Sequence, residues 1–291
     1  MAGGLSPPRT ESGLRGRIVI PVFLLALALA APGFCGTLRV ATFNVRFPSP
    51  DDRENVWEKR RDLLVETIRD LRADILGTQE LYKLQGDYIT SNLPQYAWFG
   101  IGRYGNQDDE HTGVFYLRDK FRVLESGDFW LSEMPNRAGS RSWDITLPRV
   151  ATWAKFEELA TGKTFYVFNT HFPHRPQDDM ARLHCSRLLR ARLAALPADA
   201  PVVLTGDFNA RASGMAYGIL AGVLKDAWTT AVKRTGPEGT FHSFQGLESQ
   251  SRIDWILYRG FRRSVRAETV TRNADGKYPS DHYPVIAELE F

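Results

Sequence analysis

Runs of apolar residues that stop abruptly at one polar side chain recur along the chain and outline most of its elements. Leu38-Arg39-Val40-Ala41-Thr42-Phe43 reads as a strand and gives way to Asn44, and Asp74 to Thr78 reads as a second strand followed by Glu80. Phe165 to Asn169, rich in aromatic and β-branched residues, leads to His171, and Pro201 to Thr205 leads to Asp207 and Asn209. Two strands show the reverse order: Asp254 stands near the start of Arg252 to Tyr258, and Asp281-His282 precede Tyr283 to Leu289. Val114 to Leu117 and Val150 to Glu157 complete the expected strands. Helical spacing covers Trp57 to Arg72, with Trp57, Leu64, Ile68 and Leu71 on one face, and Gln177 to Leu196, ended by Pro197.

Helices among neighbouring strands, with hairpin-like runs in the middle, predict two mixed sheets packed face to face with helices outside: a four-layered α/β sandwich. The regular strand–helix rhythm of a doubly wound sheet is missing, as are GxGxxG and GxxxxGK loops, which argues against a dinucleotide fold and a P-loop. From Thr37 to Phe291 no linker or short repeat interrupts the pattern, so residues 37–291 are expected to form one catalytic domain.

The direction of each strand matters more than its existence. If the two strands that begin with polar residues run antiparallel to the four that end in them, all six sets meet at one edge. That edge would hold the carboxylates of Glu80, Asp207, Asp254 and Asp281, the amides of Asn44 and Asn209, and the imidazoles of His171 and His282. Phosphate esters are anionic and repel a nucleophile, so their hydrolysis needs charge neutralisation and an aligned water. Carboxylate and amide oxygens suit a hard cation: Mg²⁺, with Mn²⁺ and Ca²⁺ as alternatives. Glu80 is the expected direct ligand, with Asn44 and Asp281 supporting the ion or its waters. Asp207 would orient or deprotonate the attacking water, and Asn209 would hold that water or a phosphoryl oxygen. His171 and His282 would donate to the phosphate, and Asp254 would fix one imidazole.

In sequence order, Ala-Thr-Phe-Asn44, Gly-Thr-Gln-Glu80, Asn-Thr-His171, Thr-Gly-Asp207-Phe-Asn209, Arg-Ile-Asp254 and Pro-Ser-Asp281-His282 resemble the motifs of the endonuclease/exonuclease/phosphatase superfamily, in its DNase I-like branch. The resemblance implies a divalent ion and in-line attack of water on phosphorus. It also implies a glutamate paired with His171, for which Glu110, just before His111-Thr112-Gly113-Val114, is the best match.

Composition narrows the setting. The chain has 291 residues, 43% of them apolar, enough for a large core. Arg9, Arg15 and Arg17 precede an apolar run from Ile18 to Ala31, the form of a secretory signal over residues 1–36, with an uncleaved anchor as the alternative. Phe34 is the wrong size to precede a lipidated Cys35. A secreted or periplasmic location is therefore expected. Without the leader the net charge falls from +3 to about +1, so the basic footprint of a tight nucleic-acid binder is not evident. Cys185 lies in the apolar pattern of the long helix and is expected to be a buried thiol. Arg149 and His174 each stand where they could reach a phosphate, or simply face solvent. The expected partner is a phosphate-ester substrate, whether small molecule, lipid head group or nucleic acid. No protein partner is implied, and a monomer is expected. Hydrolysis of small or diester phosphates is the first reading, a secreted DNA or RNA endonuclease the second, and a binding module without catalysis the third.

Overall fold

Strands built largely from Val, Ile, Phe and Tyr, separated by helices with one apolar face, dictate a layered packing in which each sheet buries both faces. The computed structural model describes residues 1, 3–6, 36–246 and 251–291. Residues 2 and 7–35 of the expected leader lie outside the described residues, and the folded unit comprises residues 36–246 and 251–291.

In chain order the elements are β1 (Thr37–Asn44), α1 (Trp57–Leu71), β2 (Ile75–Gln79), α2 (Lys83–Asn92), β3 (Tyr96–Phe99), β4 (Val114–Leu117), β5 (Phe121–Trp130), β6 (Val150–Glu158) and β7 (Thr164–His171). They continue with α3 (Asp179–Ala194), β8 (Val202–Asp207), α4 (Met215–Ala221), β9 (Lys225–Asp226), β10 (Lys233–Thr235), β11 (Asp254–Arg259), β12 (Arg263–Thr269) and β13 (Val285–Glu290). One mixed sheet has the order β10-β12-β13-β1-β2-β4-β3 and the other β5-β6-β7-β8-β11-β9. Between the sheets lies a core that includes Val40, Ile75, Phe156, Phe165, Val203, Ile256 and Leu289. Leu64, Ile68 and Ile89 close the outer face of the first sheet, while Cys185, Leu189 and Leu220 close that of the second. The result is a four-layered sandwich. Burial pushes the Cys185 thiol up from its ordinary value, as befits an inert core residue.

Helix ends follow local chemistry. Arg72, expected as helical, instead takes a left-handed φ of 48° and turns its N–H to the Arg69 carbonyl, so α1 ends at Leu71. The long helix is shorter than its apolar pattern, because Pro176–Asp178 forms a separate tight turn ahead of α3.

Strand directions decide the site. β1 runs parallel to β2, and β7 runs parallel to β8. β13 is antiparallel to β1, and β11 is antiparallel to β8, with Asp254 directly opposite Asp207. The four strands that end in polar residues and the two preceded or begun by them therefore share one rim.

Beneath that rim the sheets are joined by a buried polar seam. Gln79 Nε2 donates to Asn169 Oδ1 at 2.7 Å and to Thr42 Oγ1 at 3.1 Å, and Thr205 Oγ1 donates to the same Asn169 oxygen at 3.0 Å. Asn169 Nδ2 returns the link to the carbonyls of Thr78 and Gly113, at 2.7 and 3.0 Å. Gly77 makes this spacing possible, since a Cβ there would lie 2.2 Å from Thr205 Oγ1 and 2.6 Å from Asn169 Oδ1. Gly77→Ala is expected to destabilise the fold by about 3 kcal/mol through overpacking, measured by urea denaturation. An unchanged midpoint would show that the sheets yield at this point.

Candidate active site

Each reacting group is placed by the end of an apolar strand, where the chain leaves the core and can expose a polar side chain without leaving backbone groups unpaired. Three of these exits are strained. Arg46, Glu80 and Asn209 have φ of 55°, 56° and 47°, left-handed values that cost non-glycine residues about 1–3 kcal/mol each.

One amide nitrogen ties the two halves together. Asn44 Nδ2 lies 3.1 Å from Glu80 Oε1 and 3.0 Å from Asp207 Oδ2, so the carboxylates of β2 and β8 face the same space. Asn44 Oδ1 accepts the Arg46 N–H at 3.0 Å. Asn44 thus positions both carboxylates through its nitrogen, while its oxygen keeps a second lone pair beside the Arg46 N–H. Glu80 Oε2 also accepts the Phe47 N–H at 3.2 Å.

On the other side of Asp207 stand two imidazoles. His282 Nδ1 is 2.9 Å from Asp254 Oδ2, and its Nε2 is 3.8 Å from Asp207 Oδ2. Burial disfavours the imidazolium of His282, but Asp254 and Asp207 outweigh it and push this group up to about 10. Asp207 is itself pushed up to about 7 by burial and by the charge of Asp254, against the pull of His282 and of the bonds from the Asn209 N–H and Asn44. Donor atoms of Asp207, Asp254 and His282 lie within 4.8 Å of one another. These three are close enough either to act as an acid–imidazole–acid chain or to share a cation.

His171 behaves differently. Burial, reinforced by Arg149 and Arg103, holds it well below the ordinary histidine range, so it is neutral. Its Nε2 is 3.4 Å from Asp207 Oδ2, and its Nδ1 is 2.9 Å from Arg149 Nη1. The expected glutamate partner is nearby but not bonded. Glu110 Oε2 is 3.9 Å from Nδ1, beyond hydrogen-bond reach, and Glu110 is drawn into an ion pair with Arg103. Glu110 therefore sits beside His171 Nδ1, as expected, while Arg149 makes the shorter contact to the same nitrogen. Asn209 donates to the Phe172 carbonyl at 3.1 Å, while its own N–H bonds Asp207 Oδ1 at 2.9 Å.

Arg252, two residues before Asp254, bonds Asp226 at 2.7 Å, leaving Asp254 to His282. Asp281 is raised by burial and by the nearby Glu80 carboxylate, against the pull of His282 and Arg46. Arg46 Nη1 sits 3.8 Å from Glu80 Oε2 and 3.9 Å from Asp281 Oδ2. A single guanidinium poised between buried Asp281 and half-buried Glu80 marks a place where positive charge is needed. Hard oxygen donors in that setting fit a divalent cation, with Glu80 and Asp281 as the residues to hold it. Arg46 carries no signal in the sequence, because an arginine after a strand usually faces solvent. These groups line a cleft of about 540 Å³, walled by Phe47, Leu147, Phe241 and Ile253.

A two-sheet sandwich with one polar rim and an acid–imidazole cleft defines a class of fold and site that known sequences share. The Endonuclease/Exonuclease/phosphatase family profile matches residues 41–282, and the chain belongs to that family. Among solved structures it is similar to a family protein from Bacteroides vulgatus, at 37% identity and TM-score 0.83, covering 88% of this chain and 99% of that one. It is also similar to a mannosyl-6-phosphatase from Bacteroides thetaiotaomicron, at 33% identity and TM-score 0.82, covering 87% and 100%. Nocturnin of Drosophila melanogaster is 23% identical over 278 residues, 80% of this chain and 42% of that protein. The chain spans about half the length of the curated relatives it matches.

Proposed function

We propose that the chain is a Mg²⁺-dependent hydrolase of phosphate esters that acts on small phosphomonoesters of sugars or polyols. The observation that carries this reading is the placement of Asp207 between two imidazoles of opposite character, neutral His171 and cationic His282, facing Glu80 across one cleft. When bound by Glu80 and Asp281, the cation would neutralise phosphate charge and acidify a water. The chain's own groups supply the rest. Asp207, held through both oxygens, takes the proton of the attacking water, and Asn209 helps to fix that water. His282 Nε2–H and His171 Nε2–H donate to the phosphoryl oxygens as charge builds on them. Water adds to phosphorus as the ester oxygen departs; that oxygen takes a proton from solvent and Asp207 releases its own, giving phosphate and an alcohol.

A small substrate is supported by the cleft volume, by a net charge of about +1 without the leader, and by the likeness to a sugar phosphatase. The basic, then apolar, leader supports export from the cytoplasm, which N-terminal sequencing of the exported chain checks. The central experiment is a panel of mannose 6-phosphate, glucose 6-phosphate, bis(p-nitrophenyl) phosphate, RNA and supercoiled plasmid, with Mg²⁺ and with EDTA. Phosphate release from the sugar monoesters, abolished by EDTA, is the expected result. Plasmid nicking without release from sugar phosphates would favour the nuclease reading. No turnover of any member would leave a binding module.

A further inference from the structure

Arg149 precedes β6 and is only 5% exposed, yet no carboxylate lies within ion-pairing distance of its guanidinium among the described residues. Its two terminal nitrogens go to two imidazoles. Nη1 meets His171 Nδ1 at 2.9 Å, and Nη2 meets His174 Nδ1 at 3.1 Å. A guanidinium has donors and no acceptor, so both Nδ1 atoms must be acceptors. A neutral imidazole has one N–H, which is then left on Nε2 of each ring. For His171 that hydrogen points towards Asp207 Oδ2 at 3.4 Å, and Asn209 Nδ2, which also bonds the Phe172 carbonyl, meets Nε2 at 3.1 Å as a donor–donor contact that the Arg149 bond must outweigh.

His174 is fixed from behind as well. It is solvent-exposed and lines the cleft, but the carbonyls on either side of it are gripped by a buried arginine of α3: Arg182 Nη1 donates to Pro173 O at 2.8 Å and to Arg175 O at 3.0 Å. Arg175 is in turn held by Asp178 at 2.7 Å. A loop histidine with its backbone and its ring both pinned is a built feature of the cleft wall.

We propose that Arg149 is a two-pronged positioning residue that locks His171 and His174 in the same tautomer, so that His174 becomes a further donor to the substrate phosphate through its Nε2–H. The donor role of His174 rests on the hydrolase reading; the tautomer lock does not. The consequence is a preference among esters. A phosphomonoester presents three non-bridging oxygens and a diester two, so the additional donor at the rim favours the terminal phosphate.

The tautomer is read without substrate, from the ¹⁵N and ¹H correlations of the imidazole rings in the full chain, with His171→Gln and His174→Gln used for assignment. Both rings are expected to carry the proton on Nε2. Arg149→Lys, which reaches only one ring, should release His174 or His171 into a mixture of tautomers, and Arg149→Met should release both. A proton on Nδ1 of either ring in the wild type overturns the proposal, and so does an Nε2–H state that survives in Arg149→Lys on both rings. Should Arg149→Met fail to fold, the wild-type and lysine spectra still decide. In kinetics, His174→Gln is expected to raise KM for a sugar monophosphate about tenfold, with kcat within about threefold, as for loss of one hydrogen bond to a charged group. An equal loss on mono- and diester substrates would remove His174 as the source of the preference while leaving the tautomer result to stand on its own.

Discussion

Glu80→Gln is expected to lower Mg²⁺-dependent hydrolysis at least about a thousandfold, since it removes the charge that draws in the cation while keeping the shape of the side chain. The fold should survive, because the Phe47 N–H can still be met by the amide oxygen of glutamine. Two measurements check this: kcat on a sugar phosphate at saturating Mg²⁺, and calorimetric titration of Mg²⁺ into the protein. Wild-type turnover, or unchanged Mg²⁺ binding, would remove Glu80 as the residue that holds the ion. The size of the effect follows from the site's charge balance. Glu80 and Asp281 share one guanidinium group from Arg46, and that group is already bonded to Asp52 at 2.7 Å.

His282→Ala should cost about a hundredfold to a thousandfold in kcat, the range for loss of one hydrogen-bond donor to the charge that builds in the transition state. The pH dependence gives a sharper test. His282 donates only while protonated, and its value is raised to about 10, against the effect of burial, by the carboxylates of Asp254 and Asp207. Activity should therefore rise as Asp207 loses its proton near 7 and fall as pH rises through about 10. Asp254→Asn removes one of the two carboxylates, so the alkaline limb should move to lower pH, by one unit or more, with little change in the fold. A limb that stays in place in Asp254→Asn would mean that some other group titrates there. A limb that moves up would contradict the sign of the interaction.

Sequence patterning locates most of the rim because an abrupt change from apolar strand to polar terminus leaves a local trace. Asn44, Glu80, His171, Asp207 and Asp254 each stand at or beside the end of a strand, and the pairing of Asp254 with Asp207 follows once strand direction is read from the order of polar and apolar residues. Elements without that trace are hidden. β5 carries charged residues and a register shift between Val123 and Glu125, so its alternation changes face midway. β12 is rich in arginine and shifts register between Ser264 and Arg266. α2 contains Gly86 and buries only Gln85, Gly86 and Ile89, too narrow a stripe to stand out.

The arginines are illegible for a different reason. Arg149 meets residues 22 and 25 positions away, and Arg103 captures Glu110 across a loop. Nothing local distinguishes such an arginine from one facing water. Glu110 shows the same limit from the other side: its position near His171 is predictable, whereas the competitor that takes its bond is not.

The hydrogen-bonded seam of Thr42, Gln79, Asn169 and Thr205 separates two kinds of evolutionary freedom. Because it clamps the stacking height of the sheets directly under the reacting groups, the segment 133–146, which stops short of Leu147 and Arg149 in the cleft wall, is expected to accept exchanged or recharged residues without shifting the chemistry. Attempts to retarget the cleft therefore belong in that segment, and substitutions in the clamp are expected to disturb the whole rim at once.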